Sequence, residues 1–332
     1  MGGLRRLLCC GLLAALALTA CGGSRAQTTP TPPPPAPQLR PDQADAIARQ
    51  SWQATSVLAL QTPDDPERWR DFEDGTSLEA STFYAKIQQE QHRPDLKGSK
   101  PLRGLTTWVP RVDRYPRWFV ARVDTTDADN DGNLTDQAIV QLDVYTQRAP
   151  DARWKIAFTV TLPGNTQVPT PALDAEGLAS TGVNGVARDL RQLPQGYASY
   201  LSSRGSQNGD WFAPGPVTSD QLPLQGSTDR FQAGSYPRYQ LALPDGSAMG
   251  LFGITWLIQM AGSGQCIKQS SDRSQYPAYI PPGNWSDVSI TAMFTRVAVI
   301  PPASPTARIT LLGQGDSAAV LKVDTKAAQG RC

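Results

Sequence analysis

The chain has 332 residues with 31 basic and 30 acidic side chains and one histidine, a formal net charge of +1. That balance excludes the strongly basic surface that nucleic acid demands. A single histidine, His92, excludes a histidine-rich zinc site and any serine–histidine or cysteine–histidine catalytic pair built without it.

Arg5 and Arg6 precede an apolar run from Leu7 to Ala20. The run is too short, and too soon followed by polar sequence, for a transmembrane helix, and reads as an export signal. It closes on Leu18-Thr19-Ala20-Cys21, which resembles the lipobox of bacterial lipoproteins. Residues 1–20 are then a signal peptide, and Cys21 begins the mature chain carrying lipid. Two or three acyl chains, at about 0.8 kcal/mol per buried methylene, hold a folded body durably on a membrane. "LRRLL" is also similar to a twin-arginine signal but lacks the rest of that pattern, so the export route stays open. Residues 21–41 hold seven prolines between Pro30 and Pro41. This composition favours extended polyproline II, and the segment is read as a stalk reaching at most roughly 60 Å. Of five cysteines, Cys9 and Cys10 leave with the signal, Cys21 takes lipid, and Cys266 and Cys332 remain. Outside the cytoplasm such a pair is expected as a disulfide, the alternative being two free thiols. Closing so long a loop stabilises by about 4 kcal/mol on the chain-entropy model.

Beyond the stalk, Ala44, Ile47, Ser51, Ala54 and Leu58 share one helical face between Asp42 and Gln61, and a second helix is predicted from Leu78 to Gln91. The period then changes to two. "AIVQLDVY" puts Ala138, Val140, Leu142 and Val144 on one face. "RWKIAFTVTLP" does the same with Trp154, Ile156, Phe158, Val160 and Leu162, a pattern of half-buried antiparallel strands. Helices followed by strands predict an α+β domain, here residues 42–165. Residues 166–183 lack a clear period and read as a linker. The pattern restarts over a second α+β domain, residues 184–332. It begins with a helical segment at 186–203 broken or kinked by Pro194, and includes a hairpin turn at "DGS", 245–247. "RYPRWFVARV" and "SYPRYQLALP" share Tyr-Pro-Arg, aligning Tyr115 with Tyr236 and Trp118 with Tyr239. A tandem duplication and chance convergence on a strand entrance both account for three shared residues.

The lipobox, stalk, N-terminal helix, "YPRWFVA", "RWKIAFTVTLP" and "YASYL…FAPGPVT" together resemble uncharacterised lipoproteins of high-GC Gram-positive actinobacteria. The order of helices and strands is similar to the cone-shaped nuclear-transport-factor-two-like fold, used by enzymes and non-enzymes alike. The resemblance implies a cell-membrane location and no particular activity.

Chemistry is sparse. No glycine-rich stretch matches a phosphate loop. Asp64-Asp65 and Glu73-Asp74 are carboxylate pairs of the kind glycoside hydrolysis uses, but adjacent acids point apart. Trp154 and Trp256 lie in alternating apolar runs and read as core, whereas Trp69, Trp211 and Trp285 have polar surroundings and are candidates for a binding surface. "DADNDGNLTD" is the exception. Asp127, Asp129, Asp131, Gly132 and Asn133 match positions 1, 3, 5, 6 and 7 of a calcium loop. Position 12 is Ala138, which cannot ligate, so calcium would need Asp136 or water to complete its shell; the other reading is a polar hairpin turn. The sequence therefore predicts a lipid-anchored envelope protein whose two α+β domains act as a non-catalytic binding or scaffold module for an envelope protein or small ligand. An enzyme with an acid–base pocket between helix and sheet, and a calcium-stabilised adhesion or wall-contact protein, are the alternatives.

Overall fold

The computed structural model describes residues 38–61, 64–91, 96–129, 132–214, 227–261, 267–268, 283–313 and 318–327. Cys21, His92, Asp131, Cys266, Cys332 and the proline run up to Pro37 lie outside the described residues. No described helix is long and apolar enough to cross a membrane.

Three helices come first: α1 (Pro41–Gln61), the single turn α2 (Pro66–Trp69) and α3 (Gly75–Gln91). They lead into an antiparallel meander of β1 (Gly104–Trp108), β2 (Arg117–Ala128), β3 (Leu134–Gln147) and β4 (Lys155–Pro163), paired in chain order. A fourth helix, α4 (Leu193–Ser202), precedes the second sheet. That sheet is built on two long neighbours, β7 (Ala248–Ala261) and β9 (Asn284–Ile300), antiparallel over their length. β5 (Ser227–Gln232) and β6 (Tyr239–Ala242) share the free edge of β7, and β8 (Ile267–Lys268), β10 (Thr310–Leu311) and β11 (Ala318–Ala327) pair with β9. The architecture is α+β, with antiparallel sheets covered by helices, as the order of periods predicts.

Side-chain alternation sorts these elements into layers. Val140, Leu142 and Val144 of β3 and Phe158, Val160 and Leu162 of β4 meet Tyr239, Leu241, Met249, Leu251 and Val297 in one buried cluster between the two sheets. Aromatic contacts cross this interface, with Tyr239 5.1 Å from Trp118 and 6.2 Å from Phe158 between ring centroids. On the outer side of the second sheet, Phe252, Ile254, Trp256 and Phe294 pack under Leu193, Tyr197 and Leu201 of α4. The fully buried Arg296 lies here too, its Nε donating to the Tyr197 hydroxyl at 3.4 Å and its guanidinium 4.7 Å from the Phe294 ring. On the outer side of the first sheet, Phe119, Ala121 and Tyr145 pack under Ala44 and Ala48 of α1.

Several local expectations change. The single apolar face expected over Trp154–Leu162 is split, because the register shifts where Tyr145 pairs with Ile156 and Val144 with Phe158. A bulge at Ala157 turns Ile156, with Trp154 packed beside it, to the helix side, while Phe158, Val160 and Leu162 face the second sheet. Helix α4 begins at Leu193, not 186, with Pro194 in its first turn, where the missing N–H removes no helical bond. Ala138 is exposed rather than inward, beside Gly164 at the hairpin end of β3. The two Tyr-Pro-Arg motifs open strands in different places, the interior β2 and the edge strand β6. Residues 166–183 carry no helix or long strand, yet Val168, Leu178 and Ala179 are buried. The Ala179 amide donates to Val109 beyond β1, and Ala172 and Ser180 exchange bonds with Ala242 of β6.

Phe158 is fully buried where the sheets meet, so Phe158→Ala is expected to cost about 3–5 kcal/mol in urea denaturation. Because the interface belongs to both sheets, circular dichroism and tryptophan fluorescence are expected to report one shared transition; two separated transitions would show that the sheets unfold independently.

Candidate functional site

The outer side of the first sheet is the polar side of β3 and β4, and it is covered by helices rather than water. Asp143 is fully buried there. Its Oδ1 accepts from Thr159 Oγ1 at 2.7 Å and from Gln141 Nε2 at 2.9 Å, while Oδ2 is buried without a hydrogen-bond partner among the described residues. Thr159 in turn lies 3.3 Å from the Ser77 hydroxyl of α3. Beside it the phenol of Tyr145 is hydrogen-bonded to Ser51 of α1, which explains a serine on that helix's inward face.

Glu73 joins this region from the segment before α3. Ile156 of β4 donates its amide to Phe72 and accepts from Asp74, so residues 72–74 lie as a short parallel extension along the sheet edge. Glu73 is buried, its Oε2 without a partner, and Asp74 faces outward to cap the Gly75 amide and pair with Arg148. The adjacent acids do point apart. The bulged Ala157 carbonyl accepts from Thr76 Oγ1 at 2.9 Å, tying the first turn of α3 to β4. Gly75 opens that turn at φ +52°, a region glycine enters without strain.

Burial governs the acids' protonation. Desolvation pushes Glu73 up to about 8, opposed by a hydrogen bond to Ser81 and reinforced by the charge of Asp143. Desolvation pushes Asp143 up to about 6, opposed by Gln141 and Thr159. Desolvation likewise raises the Tyr145 phenol, with Asp143 adding to the effect. Near neutral pH Glu73 is therefore mainly a neutral carboxyl, the form favoured where no ion pair to it is present among the described residues.

A second polar place lies at the side of the same turn. A cleft of about 330 Å³ opens among Gly75, Thr76 and Glu79 of α3, Ser235, Tyr236 and Pro237 before β6, and Thr255 of β7. Its one aromatic ring is seated by two glycines: a Cβ at Gly253 would fall 2.9 Å from the Tyr236 ring and one at Gly234 would fall 2.1 Å from it. The Tyr236 hydroxyl is 3.1 Å from Thr255 Oγ1. Desolvation raises the Tyr236 phenol, with the Thr255 hydrogen bond opposing and the nearby Glu79 charge adding.

The acidic loop is the hairpin between β2 and β3. Asp129 accepts from Asn133 on both carboxylate oxygens, from the backbone amide at 2.8 Å and the side-chain amide at 2.9 Å. Asp127 accepts from the Ala128 amide and lies 3.6 Å from Lys100 Nζ. Lys97 Nζ donates to Asn133 Oδ1 at 3.0 Å. Asp136 lies within β3 and is exposed. Among the described residues no three histidine, cysteine, aspartate or glutamate side chains are grouped to hold a metal. Trp211 and Trp285, expected at the surface, are partly buried against the second sheet's core. The ring of Trp211 fits against Gly196 and carries the Arg188 guanidinium at 4.8 Å.

Two measurements follow from these contacts. Glu73 and Asp143 have raised folded-state pKa values, so their contribution is most favourable below the ordinary carboxylate range and is lost as pH rises toward 8. The melting temperature is expected to fall between pH 5 and pH 8.5 by an amount equivalent to a few kcal/mol, on the order of one pKa unit per 1.4 kcal/mol. Glu73→Gln is expected to flatten that decline; an unchanged slope would place the titration elsewhere. With Asp129 satisfied by Asn133 and lysines at the loop, millimolar calcium followed by chelator is expected to leave the melting midpoint unchanged. A reversible rise of several degrees would show that the loop rearranges around the ion.

No curated protein and no solved structure is a match for this chain. Residues 58–319 match a family model described as a domain of unknown function, DUF8094. That match spans most of both sheets with α2, α3 and α4, and the chain belongs to the DUF8094 family.

Proposed function

We propose that the protein is a cell-envelope lipoprotein, similar to those of actinobacteria, anchored through Cys21 at the outer face of the cytoplasmic membrane. Its folded body acts as a non-catalytic binding module with the cleft beside α3 as its ligand contact. The observation that carries this reading is the separation of the two polar places. The cleft is open and lined by hydroxyls, one aromatic ring and one carboxylate, whereas the acids with raised pKa are sealed beneath the first turn of α3. A general acid or base must reach within hydrogen-bonding distance of its substrate, and a neutral Glu73 under a helix meets a structural need for burial more directly than a catalytic one. The alternative, acid–base catalysis by Glu73 and Asp143, draws on those same raised values and requires the start of α3 to lift.

The test is photocrosslinking in intact cells with a benzophenone amino acid at Ser235, at the cleft, and a control at Thr310, on the exposed face of β10. A discrete adduct from Ser235 alone supports a binding module, and identical patterns from both positions would sink it. In the same cells Cys21→Ser is expected to move the protein from the membrane fraction to the soluble one, and unchanged fractionation would refute the anchor.

A further inference from the structure

We infer that the cleft beside α3 recognises an organic ammonium group, a cation carried on a small polar body. The inference rests on the reading of this cleft as the ligand contact and supplies the chemistry of its ligand. Three observations carry it. Among the described residues the lining contains one carboxylate, Glu79, and neither lysine nor arginine. Glu79 is exposed on α3 and takes part in no ion pair among the described residues, unlike Asp74, which pairs with Arg148 nearby. The nearest arginine in sequence, Arg238, donates away from the cleft to the Arg191 carbonyl at 3.4 Å.

Tyr236 supplies the third. Its ring is held against the β7 backbone at Gly253, where no side chain fits, and beside Gly234, where none fits either. Its hydroxyl is tied to Thr255. A ring fixed in this way is half-buried at the wall of a polar cleft. An aromatic face with a carboxylate nearby attracts a positive centre both through the ring quadrupole and through charge, and alkylated ammonium groups use both because their methyl groups shed water cheaply. The Ser235 hydroxyl at the same wall is suited to accept and donate hydrogen bonds to a neutral polar remainder. A phosphate or carboxylate ligand would instead meet Glu79 with no cation to offset it. The volume of about 330 Å³ suits a compact ligand, at the lower end of small-molecule pockets, about 300–1,000 Å³.

The experiment uses the mature chain with Cys21→Ser so that it is soluble. Binding of choline is compared by calorimetry with binding of 3,3-dimethylbutanol, which has the same shape without the charge. Choline is expected to bind at least about fivefold more tightly, a preference that falls with rising salt because Glu79 is exposed. Glu79→Gln is expected to remove that preference and leave the melting temperature unchanged. Gly253→Ala, which pushes a methyl group into the Tyr236 ring, is expected to abolish binding, while Tyr236→Phe, which keeps the ring, stays within about threefold of the parent. Phosphatidylcholine vesicles identify the source: capture on vesicles released by free choline places the ammonium on a headgroup, and choline binding without capture places it on a soluble ligand. Equal affinity for choline and its neutral isostere would overturn the ammonium inference. Failure of both probes alongside a Ser235-specific crosslink would overturn this inference and keep the binding-module reading, and failure of the crosslink as well would remove both.

Discussion

The face-to-face packing of the two sheets governs the rest of the molecule. Each sheet gives its apolar side to the shared cluster around Phe158, Tyr239 and Leu251, so each has an outer side that needs a separate cover. The second sheet has apolar residues on that side as well, and α4 closes over Phe252, Ile254 and Phe294. The first sheet's outer side is mixed: Phe119, Ala121 and Ile156 pack there with Ala44 and Ala48 of α1, but Gln141, Asp143 and Thr159 lie on it too, residues that would suit water in a sheet open on one face. The helices that close it must therefore bring polar groups, and Ser51 on α1 and Ser77 and Ser81 on α3 meet Tyr145, Thr159 and Glu73. Hydroxyls are suited to this because they pair with buried acceptors without adding charge. The raised pKa of Asp143 is thus a consequence of architecture: the sheet's water-facing side has been enclosed.

The short stretch from Glu73 to Glu79 concentrates the consequences. Its first residue is a buried acid and its second a helix cap; Gly75 turns the chain; Thr76 anchors the bulged Ala157 carbonyl; Ser77 reaches Thr159; and Glu79 stands at the cleft. The bulge is the enabling feature. By inserting Ala157 into β4 it turns a carbonyl out of the ladder, and an unpaired buried carbonyl is costly unless a donor is found. Thr76 is that donor, so the position of α3 follows from an irregularity in β4. The cleft, bounded by the same turn, inherits its position in turn.

This explains what could be read from sequence. The period-two runs from Val140 to Val144 and from Phe158 to Leu162 were legible because they face an apolar partner, and the first helix was legible from Asp42 at its start and a helical face, whereas α3 starts at Gly75, three residues before the predicted Leu78. The hairpin at Asp245–Ser247 was legible from its turn residues. The bulge was not, since one inserted residue among alternating hydrophobics leaves Trp154 and Ile156 looking like neighbours of Phe158. Asp143 was missed for a related reason. An acid between apolar residues of a strand reads as solvent-facing, and whether water or a helix lies opposite depends on residues some seventy positions away. The cleft was less legible still: Glu79, Tyr236 and Thr255 come from three separated segments, and only the glycines at 234 and 253, each next to the Tyr236 ring in space, hint that a ring needs seating.

Glu73 and Glu79 show why residue type alone could not locate chemistry here. Six residues apart, they differ in surroundings: Glu73, bridged to Ile156 in the segment before α3, is buried with its pKa raised by desolvation, and Glu79, on α3, is exposed at the cleft. A cleft lined among the described residues by one carboxylate beside one fixed ring is better suited to distinguishing a cation from its neutral isostere than to transferring a proton, and that contrast between the buried Glu73 and the exposed Glu79 is the physical basis for reading the molecule as a binder.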